Sequence, residues 1–172
     1  MKLQGKNILL RAVEPTDIDV LYQWENDTET WKVSNTQTPF SHFVLEQYIA
    51  AAHQDIYSTK QLRLMICDAD NKAIGSIDLF DFDPNNLHAG IGILIADKSD
   101  RRKGYASEAL EILTEYCFHF LNLHQLYCNI TTDNESSILL FQKQGFQISG
   151  IKKQWIRDGE KFKDELLLQK MR

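Results

Sequence analysis

The chain has 172 residues, 43% of them hydrophobic and 25% charged, which suits one globular domain, 1–172, with apolar material for a single core. A formal net charge of −5 argues against a nucleic-acid partner and is compatible with a cationic amine. The start at Met1, Lys2, Gln4 and Lys6 is polar and lacks a signal peptide's apolar region, and no run nears the roughly 18 apolar residues of a membrane helix, so a cytoplasmic protein with no membrane partner is expected.

Residues 7–12 alternate as a first strand, and Glu14, Pro15, Thr16 and Asp17 then start a helix that reaches about Glu25, since proline suits a first turn and acids its positive end. Residues 26–40 carry no clear period, and a second helical pattern follows through Phe43, Leu45, Tyr48 and Ile49. The β-rich runs 62–67 and 73–82, parted by a turn of polar residues at 68–72, read as an antiparallel hairpin. After a turn at Pro84, Asn85 and Asn86 comes an apolar fourth strand within 89–96, whose Gly90 and Gly92 mark a bulge or a close ligand approach. Ala106, Ala109, Leu110, Leu113, Cys117 and Phe120 recur at helical spacing and predict a buried stripe. A fifth strand at 126–131 must run parallel to the fourth, because a helix connects them. A short helix over 135–144 closes at Gly145, and a hairpin built on Asp158 and Gly159 joins 148–156 to 162–169. Cys67, Cys117 and Cys128 lack Cys-x-x-Cys spacing and read as buried thiols, and the five histidines lack the paired spacing of a metal site.

Between the fourth strand and the long helix stand Arg101, Arg102, Lys103, Gly104, Tyr105 and Ala106. A glycine turn feeding a helix N-terminus aims backbone N–H groups at one spot, which suits a phosphate. A solvated charged loop is the competing reading of such a run. Neither Gly-x-x-x-x-Gly-Lys-Ser/Thr nor Gly-x-Gly-x-x-Gly occurs here, so any phosphate is held by other means.

Arg101-x-x-Gly104-x-Ala106 resembles the signature with which GNAT-type N-acetyltransferases bind the pyrophosphate of acetyl-CoA. The run 89–95 is similar to that family's fourth strand. Asn134-Glu135-Ser136-Ser137 with Phe141-Gln142-Lys143-Gln144-Gly145-Phe146 is similar to its closing helix. From Ile8-Leu9-Leu10-Arg11 to the last strand, the likeness covers nearly the whole chain.

The resemblance implies an α/β (α+β) fold, a single domain with a mixed, mostly antiparallel sheet, parallel fourth and fifth strands that splay apart, and helices on both faces. It implies acetyl transfer from acetyl-CoA to an amine. Ile93, Leu94 and Ile95 would meet the pantetheine arm and the reacting carbonyl, and Arg101, Arg102, Lys103, Gly104, Tyr105 and Ala106 the pyrophosphate. Asn134 and Lys143 would touch the arm or the nucleotide end, and Ser137 and Phe141 on the same helix would also meet the cofactor. Tyr105 reads equally as a core aromatic.

Two positions depart from the family's commonest chemistry. Many relatives carry a tyrosine that protonates the departing thiolate where this chain has Phe141, and a glutamate base where it has Gly90. By likeness to ribosomal-protein N-terminal acetyltransferases, Ser137 is the implied proton donor. A first-turn serine satisfying backbone N–H groups is its other reading. Asp78, Asp81 and Asp83 are candidate bases, exposed carboxylates are the ordinary account of them, and loss of the amine proton to water is a third route.

The stretch 120–127, with Asp133 and Asn134, is similar to bacterial spermidine (diamine) N-acetyltransferases, which makes a polyamine or diamine the leading acceptor. A protein N-terminus is the alternative, and a non-catalytic acyl-CoA-binding module is a third reading. The acidic cluster those enzymes use for polyamines is missing from 31–36. Glu25, Asp27 and Glu29 could replace it, or could be a solvated helix end. Self-association is compatible with the family.

Overall fold

The computed structural model describes residues 3–34 and 36–172, with only the backbone described for Lys32 and Val33. Met1, Lys2 and Asn35, which the sequence reading included in the polar start and the acid-poor stretch, lie outside the described residues.

One seven-stranded sheet carries the molecule: β1 (Leu9–Ala12), β2 (Leu62–Cys67), β3 (Ala73–Asp83), β4 (His88–Ile95), β5 (Gln125–Thr131), β6 (Gln147–Asp158) and β7 (Lys161–Met171). Their spatial order is β1-β2-β3-β4-β5-β7-β6. Every neighbouring pair is antiparallel except β4 with β5. The hairpins at 68–72 and 158–161 form where turn chemistry places them.

Strand alternation divides the core in two. Leu64 and Ile66 of β2 face a large cluster with Ile77, Leu79, Ala89, Ile91, Leu126 and Cys128, while Met65 and Cys67 face the opposite side with Leu21 and Leu45. Helix α5 (Tyr105–Glu115) covers the first face through Ala109, Leu110 and Leu113, and α6 (Glu135–Lys143) adds Phe141. Helices α1 (Ile18–Glu25) and α3 (His42–Ala51) cover the second over β1 to β3.

Three local features differ from the periodicity reading. Residues 26–40 contain a helix, α2 (Thr28–Ser34), started by the Asp27 carboxylate accepting the Glu29 N–H at 2.9 Å, and α4 (Ile56–Thr59) is capped by Asp55. Elements this short bury too little on one face to leave a period. The long helix also changes hand-over at Tyr116, where a π-helical turn (Tyr116–Phe120) begins and Leu121 N–H donates to the Tyr116 carbonyl at 3.1 Å. That wider turn rotates the stripe, so Phe118 is buried and the stripe's expected last member, Phe120, is 62% exposed. All three cysteines are free and buried, and burial pushes the Cys117 and Cys128 thiols up to about 12.

Candidate active site

The site begins where the sheet parts. β4 pairs with β5 only through His88 with Gln125, Ala89 with Leu126 and Gly90 with Tyr127, and beyond that rung the two strands have no register with each other. β4 keeps β3 as its partner to Ile95, and β5 keeps β7 to Thr131. A backbone N–H or C=O along a strand needs a hydrogen-bond partner when it is buried. The fork therefore exposes backbone N–H and C=O groups of β4 from 91 to 95 along one edge.

Ile93 and Ile95 turn their side chains into the α5-side core, and Leu94 stands opposite Ser76 on the other face. A role for these three at the fork is a backbone role.

At the far end of β4 the chain turns through 101–106. Arg102 (φ 64°) and Gly104 (φ 87°) both take left-handed backbone, and Gly104 is the N-cap of α5 with no side-chain hydrogen bond. A residue with a Cβ is strained in that conformation, whereas glycine is not. The first N–H groups of an α-helix have no intrahelical acceptor, so this uncapped end presents them, with the helix dipole, to an anion. The glycine turn thus has the backbone shape of a phosphate cradle.

The basic side chains divide the work. Arg101 folds back, its Nε donating to the Ile95 carbonyl at 3.1 Å and a terminal nitrogen to that of Ala96 at 3.4 Å, which ties the turn to the end of β4. Lys103 pairs with Asp100 at 2.9 Å and lies 5.9 Å from the Tyr105 ring centre. Tyr105 itself packs partly on the core, Ala106 is half-buried beside it, and Arg102 is exposed.

Helix α6 follows β5 past the open end of the fork. Asn134 is its N-cap, accepting from the Ser137 N–H at 3.3 Å and the Ser136 hydroxyl at 3.1 Å. The capping that Ser137 might have performed is therefore done by Asn134. The Ser137 hydroxyl makes no hydrogen bond among the described residues. Lys143 is exposed in the last turn. Phe141 is 3% exposed and packs edge-on against Phe146 at 5.0 Å, so its ring belongs to the core.

On the α1 and α3 side of the fork lies a cavity of about 340 Å³ lined by Glu25, Phe40, Tyr48, Arg63, Asp78 and Phe80, among others. Arg63 binds Asp78 through Nε at 2.6 Å and a terminal nitrogen at 3.2 Å, pairs with Glu25 on its other side, and lies 5.6 Å from the Tyr48 ring centre. Burial works against the Arg63 charge, but the two carboxylates outweigh it and hold the guanidinium protonated. Asp78 is pushed above the ordinary carboxylate range by burial, with Arg63 opposing. Glu25 is therefore part of the cavity wall and not a solvated helix end, a role the sequence left open. The lone arginine inside the apolar strand 62–67 is the sequence signal for this cluster.

Gly90 has a packing reason. A Cβ there would overlap the Phe80 ring of the paired strand, while Gly92 has that ring no nearer than 3.8 Å. The glycine expected to mark a ligand's approach is thus required at position 90 by Phe80, which also fills the space a glutamate would need. Among the described residues no group of three or more His, Cys, Asp or Glu side chains could hold a metal, and no helix is long and apolar enough to cross a membrane.

A parallel strand pair opened at one end, with an anion-cradling turn at the tip of one strand, offers backbone groups to an elongated ligand that ends in a phosphate. Residues 7–147 match the Acetyltransferase (GNAT) domain family, and the chain belongs to that family. It is an N-acetyltransferase, and acetyl-CoA is the acetyl donor of this family. N-acetyltransferase p20 of Bacillus licheniformis is 30% identical over 167 residues, 96% of this chain and 90% of that protein. Spermidine N(1)-acetyltransferase of Escherichia coli is 25% identical over 144 residues, 84% of this chain and 75% of that one. The fold is also that of the Vibrio cholerae spermidine N-acetyltransferase crystallised with CoA and spermine, at a TM-score of 0.86 and 21% identity over 95% of each chain.

Proposed function

We propose that the whole chain, 1–172, acts as one domain that acetylates a primary amine of a small polyamine or diamine such as spermidine. The observation that carries this is the cavity beside the fork, where two carboxylates, Glu25 and Asp78, face one guanidinium, Arg63. Its net negative charge favours a cationic guest, as does the chain's overall charge of −5. The spermidine acetyltransferases among the similar proteins support the same reading.

In this reading the open edge of β4 at Ile93, Leu94 and Ile95 offers backbone groups to the pantetheine arm and a donor to the carbonyl oxygen as it gains charge. The N–H groups at 102–107 take the pyrophosphate, with Arg102 and Lys103 adding charge, Arg101 bracing the turn and Tyr105 and Ala106 forming its floor. Asn134 and Lys143 border the same end, and Phe141 supports it from the core. Ser137 gives its proton to the departing sulfur, its hydroxyl being left free by the Asn134 cap.

That serine, with Phe141 in place of a tyrosine, favours a second acceptor class, a protein N-terminus. One experiment separates the two. Thiol release from acetyl-CoA is followed with spermidine, putrescine, and peptides with free N-termini. Polyamine turnover at least tenfold above peptide turnover is expected, and the reverse order refutes the polyamine reading.

A further inference from the structure

Three carboxylates lie on or after β3 near the fork, and their surroundings differ. Asp78 is bound on both oxygens by Arg63. Asp83 accepts from the Asn85 and Asn86 N–H groups and the Asn86 side chain, at 2.8 to 2.9 Å, and faces His88 Nε2 at 3.8 Å. Both are committed to structure. Asp81 is exposed, and among the described residues its side-chain hydrogen bond is with the Tyr127 phenol, which donates to Oδ2 at 3.1 Å.

The chain goes to some length to make that contact. By alternation, Asp81 would follow Ile77 and Leu79 onto the core face. A register shift between Phe80 and Asp83 interrupts β3 instead, Asp81 takes φ 48°, and Phe82 becomes the buried residue at 3% exposure. Bulges of this kind re-aim side chains and recur next to active sites. Here the bulge turns a carboxylate out of the core and toward β5.

Tyr127 is the last residue of β5 paired with β4, opposite Gly90, so it stands at the crotch of the fork. It shares that end of the sheet with Phe80, whose ring meets it edge-on at 5.8 Å, and Phe80 also lines the acid-walled cavity. Through Phe80 the Tyr127 ring borders the cavity, at the rung where β4 and β5 part. The family's glutamate is absent from position 90, and its space is filled by Phe80.

We propose that Tyr127 and Asp81 together remove the acceptor amine's proton during acetyl transfer. As the amine nitrogen bonds to the carbonyl carbon it becomes acidic, and the C–S bond then breaks. The nitrogen's proton passes to the Tyr127 oxygen while the Tyr127 proton passes to Asp81 Oδ2, from which it exchanges with water. The sulfur leaves with a separate proton, so one proton is lost at nitrogen and one gained at sulfur, and no oxidant or reductant is required. Tyr127 never has to ionise, in keeping with a phenol pushed up to about 12 by burial and by the neighbouring Asp81. Among the described residues, the other titratable groups facing this pair are His88, whose ring lies 6.1 Å from that of Tyr127 and whose buried Nδ1 has no hydrogen-bond partner there, and Asp83 behind it.

The test uses the full-length protein and whichever amine of the panel above turns over fastest, so a wrong polyamine assignment does not affect it. Y127F and D81N are each expected to lower kcat about 100-fold, with KM for acetyl-CoA within about threefold of wild type. The double variant should be no slower than the worse single one, because both act on one proton. D81E should recover part of the rate. A thermal melt of each variant separates misfolding from lost chemistry, and Y127F removes one oxygen from a half-buried ring. Unchanged kcat in folded Y127F, or losses that multiply in the double variant, would overturn the proposal.

Discussion

The two ends of the fork are built from different materials. At the end proposed for the donor, the turn 101–106 and the open edge of β4 present backbone groups, and the side chains brace them: Arg101 on the Ile95 and Ala96 carbonyls, Asn134 on the α6 cap. At the end proposed for the acceptor, the Glu25–Arg63–Asp78 group and the Tyr127–Asp81 pair are each assembled across the chain, over separations of up to 46 residues for a single hydrogen bond. A site made of backbone tolerates sequence change as long as the turn forms. A site made of long-range side chains can change its substrate while the fold stays the same.

Substitutions should therefore act on different observables at the two ends. The largest effect belongs to R63M. It leaves Glu25 and Asp78 half-buried with no counter-charge and is expected to destabilise by about 3 kcal/mol, read by chemical denaturation, with D78N in the same chain restoring part of the loss. Full stability of R63M would show that the triad is not what holds α1 to the sheet. S137A should lower kcat about 100-fold while KM for either substrate stays put. An unchanged kcat would remove Ser137 as proton donor.

G90E sharpens the contrast further, since it restores the family's commonest base into space occupied by Phe80. It should cost about 2 kcal/mol and give no gain in rate, and the F80A background should relieve the cost. At the donor end, R101A is expected to raise KM for acetyl-CoA about tenfold, equivalent to about 1.4 kcal/mol, without moving the amine KM. The smallest effect lies outside both ends. Asp17 is held below the ordinary carboxylate range chiefly by the Arg11 hydrogen bond, at 2.7 and 2.8 Å. A depressed carboxylate stabilises above its unfolded pKa and loses that contribution as pH falls through the lower folded value. The advantage of wild type over D17N, about 1 kcal/mol, should thus be complete above about pH 4 and fade below it.

How much was legible in the sequence follows the same division. The hairpin β2 to β3, the parallel β4 and β5, and the 101–106 turn could be read because each is local: a period of two, a connecting helix, a glycine before a helix. Helices α2 and α4 and the π-helical turn could not, since short elements and a changed bonding pattern leave no period. Gly90 looked like a ligand approach because Phe80, the residue that requires it, is a neighbour only across strands. Ser137 and Asn134 are both candidates by sequence, but which of them caps α6 depends on geometry that spacing does not contain. The Glu25 and Arg63 pair, 38 residues apart, and the Tyr127 bond to Asp81 lie beyond any pattern in one sequence.

The most direct measurement is a crystal structure of the chain with CoA. The pantetheine arm should run between residues 91–95 of β4 and 128–131 of β5, with the pyrophosphate against the backbone at 102–107. CoA bound away from the fork, or a fork closed by β4 to β5 pairing beyond Gly90, would contradict the account.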